Sequence, residues 1–228
     1  GEQVPGDYTV GTVVTDDGVP AISDTKSFAI AVSAIPEVAP VLGAIGAKSI
    51  DEGSALAFTA SATDANQGQS LAYSLDDGAP EGASIDVSTG VFTWMPTEVQ
   101  GPGTFDVIVR VTDDGNPPQS DAETVSVTVS EVNTSPTLTA IADQAIDIGS
   151  TLQFAVAASN RDEPAQTLAF SLGEGAPAGA TIDPSSGVFS WSPTEEQTPG
   201  DYVASIVVTD DGDPALSDSQ SITIILSA

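Results

Sequence analysis

The string VTDDG occurs at residues 14–18, 111–115 and 208–212, so the chain repeats itself at a spacing of 97 residues. PGDY at residues 5–8 returns as PGTF at 102–105 and PGDY at 199–202, and VFTWMPTE at 91–98 returns as VFSWSPTE at 188–195. Of the 51 positions in residues 71–121, 30 are identical to their counterparts in 168–218. A period of this length is too long for a solenoid unit and matches one small autonomous domain. The chain therefore divides into the C-terminal part of a truncated repeat (1–35) and two full repeats (36–132 and 133–228).

Each repeat reads as all-β. Leu56, Phe58, Ala60 and Ala62 alternate along residues 55–63. Phe105, Val107, Val109 and Val111 share one strand face; Tyr202, Ala204, Ile206 and Val208 repeat the pattern, and Val125, Val127 and Val129 form another such face. Period-2 runs bounded by Gly, Pro, Asn and Asp are strand signals, and no sustained 3.6 period competes with them. Roughly seven short strands per repeat predict tandem Greek-key β-sandwiches. Gly78 and Gly82 are placed in a loop with freedom for positive φ. Residues 1–35 supply only a hairpin, which alone is marginal in water. Residue 1 falls in mid-repeat, so the chain reads as a mature product or a piece of a longer one.

Charge limits the partners. Thirty-three acidic residues face four basic ones, for a formal net charge of −29. Nucleic acid and anionic membrane surfaces need Lys and Arg, so neither is an expected partner. No apolar run is long enough for a membrane-spanning helix. Cations fit the charge, as does simple solubility in a salty medium. With no His and no Cys, imidazole bases, thiol nucleophiles and zinc cages are lacking, and no enzymatic activity is expected.

The segments APEGASIDVSTGVFTWMPTEVQ (79–100) and APAGATIDPSSGVFSWSPTEEQ (176–197) resemble the dystroglycan-type cadherin-like and immunoglobulin-like tandem repeats of bacterial surface proteins. VTDDGNPPQSDAETVSVTVSEVNTSPTL (111–138) resembles the end of a cadherin repeat running through its linker into the next. The resemblance implies an extracellular or cell-surface location and repeats arrayed end to end. It also implies calcium at the junctions, held by acids from the base of one repeat, the linker and the top of the next. Hard cations take six to eight oxygen ligands, so several segments must contribute. Carried over by position, the first set is Glu37, Asp64, Asn66 and Asp113. At the next junction the set is Glu52 and Glu98 from the base, Glu131 and Asn133 from the linker, and Asn160, Asp162 and Asp210 from the final repeat. Three substitutions stand against the pattern: Val38 or Thr134 replaces a linker acid, Ile148 replaces the counterpart of Glu52, and Arg161 brings a positive charge to the second set.

Two readings of VTDDG remain open at this stage, a turn closed by an Asx side chain with a left-handed glycine and a source of cation ligands. Trp94 and Trp191 likewise read either as core, since each shares a strand face with Phe92 or Phe189, or as platforms for sugar rings. Three functions follow: a structural or adhesive spacer stiffened by calcium, a calcium-dependent carbohydrate-binding module, and a filament subunit in which another chain completes residues 1–35. The expected partners are neighbouring repeats, with polysaccharide or self-association as further candidates.

Overall fold

The computed structural model describes residues 4–33 and 36–228. Residue 35, the expected end of the first segment, lies outside them. Strands β1 (Gly6–Thr15) and β2 (Ser23–Val32) form an antiparallel hairpin, paired from Gly6 opposite Val32 to Thr15 opposite Ser23. The sequence predicts strands over Tyr8–Thr15 and Lys26–Val32; pairing adds Gly6 and Asp7 at the open end of the hairpin and Ser23, Asp24 and Thr25 beside the turn.

The second segment carries β3 (Val41–Leu42), β4 (Lys48–Asp51), β5 (Leu56–Thr59), β6 (Ala62–Thr63), β7 (Leu71–Leu75), β8 (Ser84–Ile85), β9 (Val91–Trp94), β10 (Gly103–Asp113) and β11 (Ser120–Ser130). One sheet runs β4-β11-β10-β7, with β4 parallel to β11 and the other pairs antiparallel; a second runs β5-β9-β8. The third segment repeats this with β12 (Thr137–Leu138), β13 (Gln144–Asp147), β14 (Leu152–Ala155), β15 (Ala158–Ser159), β16 (Ala169–Leu172), β17 (Thr181–Ile182), β18 (Val188–Trp191), β19 (Gly200–Thr209) and β20 (Ser217–Ser227). The fold is all-β, a pair of β-sandwiches preceded by a hairpin, and no helix among the described residues is long and apolar enough to cross a membrane.

The alternating faces of β10 and β11 become the core. Val107, Val109, Val111, Val125 and Val127 are fully buried against Phe92 and Trp94 from the opposite sheet, and Ile206, Val208, Ile224, Phe189 and Trp191 do the same in the third segment. Side chains from two inner faces interdigitating in this way are what hold a sandwich together.

The run at 55–63 is one strand by its alternation but two in the fold. β5 pairs with β9, whereas β6 crosses to pair with β3. The break at Ala60 is fixed by its amide donating to the Gly90 carbonyl at 2.9 Å. Gly90 has φ +67°, and a Cβ there would lie 2.5 Å from the Ala60 carbonyl oxygen, so only glycine fits. Gly187 meets the Val156 carbonyl in the same way.

Several repeated acids tie the N-terminal half of each sandwich to its last hairpin. Asp114 accepts from the Ser70 amide at 2.9 Å and Asp211 from the Thr167 amide at 2.8 Å. Asp121 accepts from the Leu42 amide at 2.9 Å and Asp218 from the Leu138 amide at 2.8 Å. The second Asp of VTDDG and the Asp of the following SD are thus structural in both full repeats.

Candidate metal centre

The first Asp of VTDDG divides its two oxygens between two tasks. Asp113 Oδ1 accepts from the amides of Gly115 and Gln119 at 3.1 and 2.8 Å; Asp210 Oδ1 accepts from those of Gly212 and Leu216 at 3.2 and 2.8 Å. That closes the turn, as the Asx reading expects. The other oxygen of each, Oδ2, is buried without a protein partner. Asp113 and Asp210 are 4% exposed, so these are buried carboxylates rather than solvated ones. Burial pushes the Asp210 carboxyl up, but the Leu216 amide, the Asn133 side chain and the Gly212 amide hold it below the usual carboxylate range.

The glycine of the motif is not left-handed: Gly18, Gly115 and Gly212 are absent from the positive-φ glycines, whereas Gly78 and Gly82 have φ +95° and +84° as expected. Close approach explains the residue instead. A Cβ on Gly115 would lie 2.1 Å from Glu37 Oε1, and one on Gly212 would lie 2.3 Å from the Asn133 side chain. The linker entering each full repeat is pressed against its VTDDG turn. Gly115→Ala and Gly212→Ala should each lower stability by about 1–3 kcal/mol, the usual cost of overpacking a tight site. Gly18→Ala, whose nearest neighbour outside its own link is Asp16 Oδ1 at 3.2 Å, should cost far less. Thermal unfolding of the three variants checks this, and equal shifts would refute it.

Between the two sandwiches, oxygens of Glu52, Glu98 and Glu131 lie within 4.8 Å of one another. Glu52 follows β4 and is 6% exposed; its Oε1 accepts from the Val132 amide at 3.2 Å, and its Oε2 is buried without a partner. Glu98 opens a 3-10 turn (Glu98–Gln100) and accepts from the Glu163 amide of the next sandwich at 3.1 Å. Both oxygens of Glu131 are buried and unpartnered. Burial, followed by the charges of Glu52, Glu98 and Asp162, pushes the Glu131 carboxyl up to about 7. Burial likewise raises Glu52, reinforced by Glu98 and Asp162.

The linker is anchored to the sandwich that follows it. Asn133 donates to Asp210 Oδ1 at 3.1 Å and accepts from Gln166 at 2.8 Å, while the Thr134 amide and hydroxyl both donate to Asp162. Glu37 stands in the place of Asn133 one repeat earlier: it accepts from Gln69 at 2.6 Å, and Asn66 accepts from the Val38 amide at 2.9 Å as Asp162 does from Thr134. Asp64 Oδ1 caps the Asn66 amide at 2.7 Å, leaving Oδ2 buried and unpartnered. Gln69 and Gln166 escaped the sequence reading although both sit at the same place in the 97-residue period, a signal that could have found them. Gly101 is another omission. A Cβ there would lie 1.9 Å from Glu52 Oε2, and the next repeat carries Thr198 at this position and Ile148 in place of Glu52.

One expected ligand, Asn160, stands apart from the cluster, and so does the positive charge of Arg161. Asn160 uses its side chain within its own loop, donating to Gln166 at 3.2 Å and accepting from the Arg161 amide at 2.7 Å. Arg161 is exposed, lines a surface recess with Thr134, Ser135, Thr137 and Ser159, and makes no ion pair; the one ion pair among the described residues joins Arg110 to Asp76 at 2.6 Å. The three-acid convergence occurs once among the described residues, at Glu52, Glu98 and Glu131, and does not include the Glu37, Asp64 and Asp113 set.

Two sandwiches in tandem, each with its own core and joined at an acidic seam, invite comparison with known proteins. Residues 39–130 and 135–227 match the family described as "Putative Ig domain". The chain belongs to that family. No curated protein is found to match it. Among solved structures, these Ig-domain repeats are similar to protocadherin gamma B2 extracellular cadherin domains 3–6 (17% identity, TM-score 0.53), covering 97% of this chain and 60% of that one. They also resemble the protocadherin gamma B4 extracellular domain (18%, 0.55; 98% and 40%) and mouse cadherin-23 domains 22–24 (18%, 0.53; 97% and 74%). The chain thus spans about half the length of the first two. At these identities the likeness is one of fold: tandem cadherin-like and immunoglobulin-like sandwiches.

The tryptophans belong to the interior of the Ig-domain repeats. Trp94 is 2% exposed and Trp191 fully buried, each donating its indole N–H at 3.1 Å to a loop carbonyl, Glu81 and Ala178 respectively. Neither presents a face on which a sugar could stack.

Proposed function

We propose that the chain is a structural or adhesive spacer of an extracellular or cell-surface protein, built of repeats 36–132 and 133–228 and stiffened by calcium at their junction. One observation carries this reading. Seven buried side-chain atoms among the described residues have no hydrogen-bond partner, and all belong to Glu52, Asp64, Gln69, Asp113, Glu131 and Asp210. Buried polar atoms are ordinarily paired, and buried charges are paired or bound to metal. Six of the seven are carboxylate oxygens, the hard donors that calcium takes.

Glu52, Glu98 and Glu131 would hold the ion, with the charge of Asp162 beside them. Glu37, Asp64, Asn66 and Asp113, the counterparts of Asn133, Asn160, Asp162 and Asp210, would offer the oxygens at the top of the earlier repeat, where no three acids converge among the described residues. A bound divalent cation supplies the positive charge that the four basic side chains of this sequence do not bring to the seam. The protein's own part is positional. Glu98 already reaches across to the Glu163 amide, and Asn133 and Thr134 pin the linker to the second sandwich, so the carboxylates of two bodies meet at one place. Without neutralisation they repel and the seam loosens; with it, metal affinity becomes junction stability.

Adding a chelator to the calcium-loaded protein should lower the unfolding midpoint and broaden the distribution of end-to-end distances in small-angle scattering, with Glu131→Gln abolishing the response. Indifference of both readouts to calcium would refute the reading.

A further inference from the structure

The hairpin β1–β2 has the register of the last two strands of each full repeat. Gly6 opposite Val32 and Thr15 opposite Ser23 correspond to Gly103 opposite Val129 and Thr112 opposite Ser120, and to Gly200 opposite Leu226 and Thr209 opposite Ser217. Only the environment differs. Val10, Val14, Phe28 and Ile30 are 38%, 74%, 53% and 43% exposed, whereas their counterparts Val107, Val111, Val125 and Val127 are fully buried. Thr12, the polar member of this face, already satisfies its hydroxyl on the Lys26 carbonyl at 3.2 Å.

The polar attachments of a missing half are present as well. Asp17 and Asp24 stand one period before Asp114 and Asp121, which accept the amides of Ser70 and Leu42 from the N-terminal half of their sandwich. Asp16 already closes its turn, accepting from the Ile22 amide at 2.8 Å, as Asp113 and Asp210 do. Both long edges of the hairpin are also those that β7 and β4 occupy beside β10 and β11. Lys26 departs from the pattern: Glu123 and Gln220 at its position accept from the amides of Ile45 and Ile141, which an ammonium cannot do.

We infer that the hairpin's apolar face is a docking surface for the N-terminal half of another repeat of this family, joined ahead of it in the same polypeptide. The occupant adds one strand to each edge, lays a Phe-x-Trp strand such as Phe189-Ser190-Trp191 over Phe28 and Ile30, and offers two backbone amides to Asp17 and Asp24. The inference stands on packing alone and does not depend on a bound cation.

The test places a second copy of residues 133–194 directly before Gly1 of the full chain, which restores the 97-residue spacing, and follows deuterium uptake of β1 and β2 with chelator present. In residues 1–228 alone the hairpin amides should exchange fast. In the fusion they should slow by at least about a hundredfold, within the range separating frayed segments from packed core strands. Val10→Asp with Phe28→Asp in the fusion should restore fast exchange while β10 and β11 stay protected. A second fusion carrying residues 36–97 guards against failure of one half to fold. Unchanged uptake in both fusions would overturn the inference, and so would concentration-dependent protection in residues 1–228 alone, which would make a second copy the occupant.

Discussion

Trp191→Ala should unfold the third segment at a temperature roughly 12–40 °C lower than the parent while leaving the second segment where it was. The magnitude follows from a buried tryptophan costing about 3–5 kcal/mol on truncation, with each kcal/mol worth about 4–8 °C in a domain of 60–100 residues. Against a total stability of about 5–15 kcal/mol, that is a large share. Trp191 is fully buried on β18, its ring 5.1 Å from that of Tyr202, its neighbour Phe189 stacked on Phe154 at 4.9 Å. Trp191→Phe should cost less, because the Ala178 carbonyl that loses the indole donor still accepts from Gln197 at 3.2 Å. The variant also leaves Trp94 as the only indole, so fluorescence reports the second segment while calorimetry reports both. A single transition moving as a whole would show that the two sandwiches unfold as one body.

This tryptophan was readable in advance because period-2 alternation is a property of neighbouring residues in the chain. Phe92 and Trp94, Val107 to Val111 and Val125 to Val129 point to one side for local geometric reasons, and the fold needs only to bring those sides together. The strand at 55–63 was misread for the complementary reason: its alternation is unbroken, and the switch between sheets is made by Gly90, thirty residues away in the chain. The same holds for the VTDDG glycine, whose identity is set by Glu37 and Asn133 across the linker rather than by its own dihedral angle. At the seam, the resemblance to cadherin repeats named Glu52, Glu98 and Glu131 as candidate ligands, and the fold brings their oxygens together, but the resemblance could not say that Asn160 would turn into its own loop or that Arg161 would stay at the surface. Those depend on a one-residue difference between TDANQGQS and SNRDEPAQT, which moves the counterpart of Asp162 onto Asn66.

The pH dependence of the metal-free protein should run opposite to that of most acidic proteins in the window from about pH 4.5 to about pH 7. A carboxylate paired with amides or arginine has a lowered pKa and stabilises the fold as it ionises. Glu131 is the reverse case, raised from 4.5 to about 7 by burial first and then by Glu52, Glu98 and Asp162. The folded state therefore holds a proton that the unfolded chain releases near pH 4.5. With more protons bound in the native state than in the unfolded one, stability falls as pH rises through this interval and levels off above about pH 7. Glu52, raised for the same reasons, adds to the slope. Asp210, with its pKa lowered, acts in the opposite sense only below that window. In chelator, the unfolding midpoint should accordingly drop between pH 5 and pH 7, and Glu131→Gln should flatten most of that drop, since the amide cannot ionise. With calcium present the slope should reverse, because the ion competes with the proton for the same oxygens and binds more tightly as they ionise. Thermal scans across pH, with and without calcium, decide the matter. A midpoint in chelator that rises from pH 5 to pH 7 would mean that Glu131 is solvated rather than buried among like charges, and the seam would not be the strained carboxylate cluster described above.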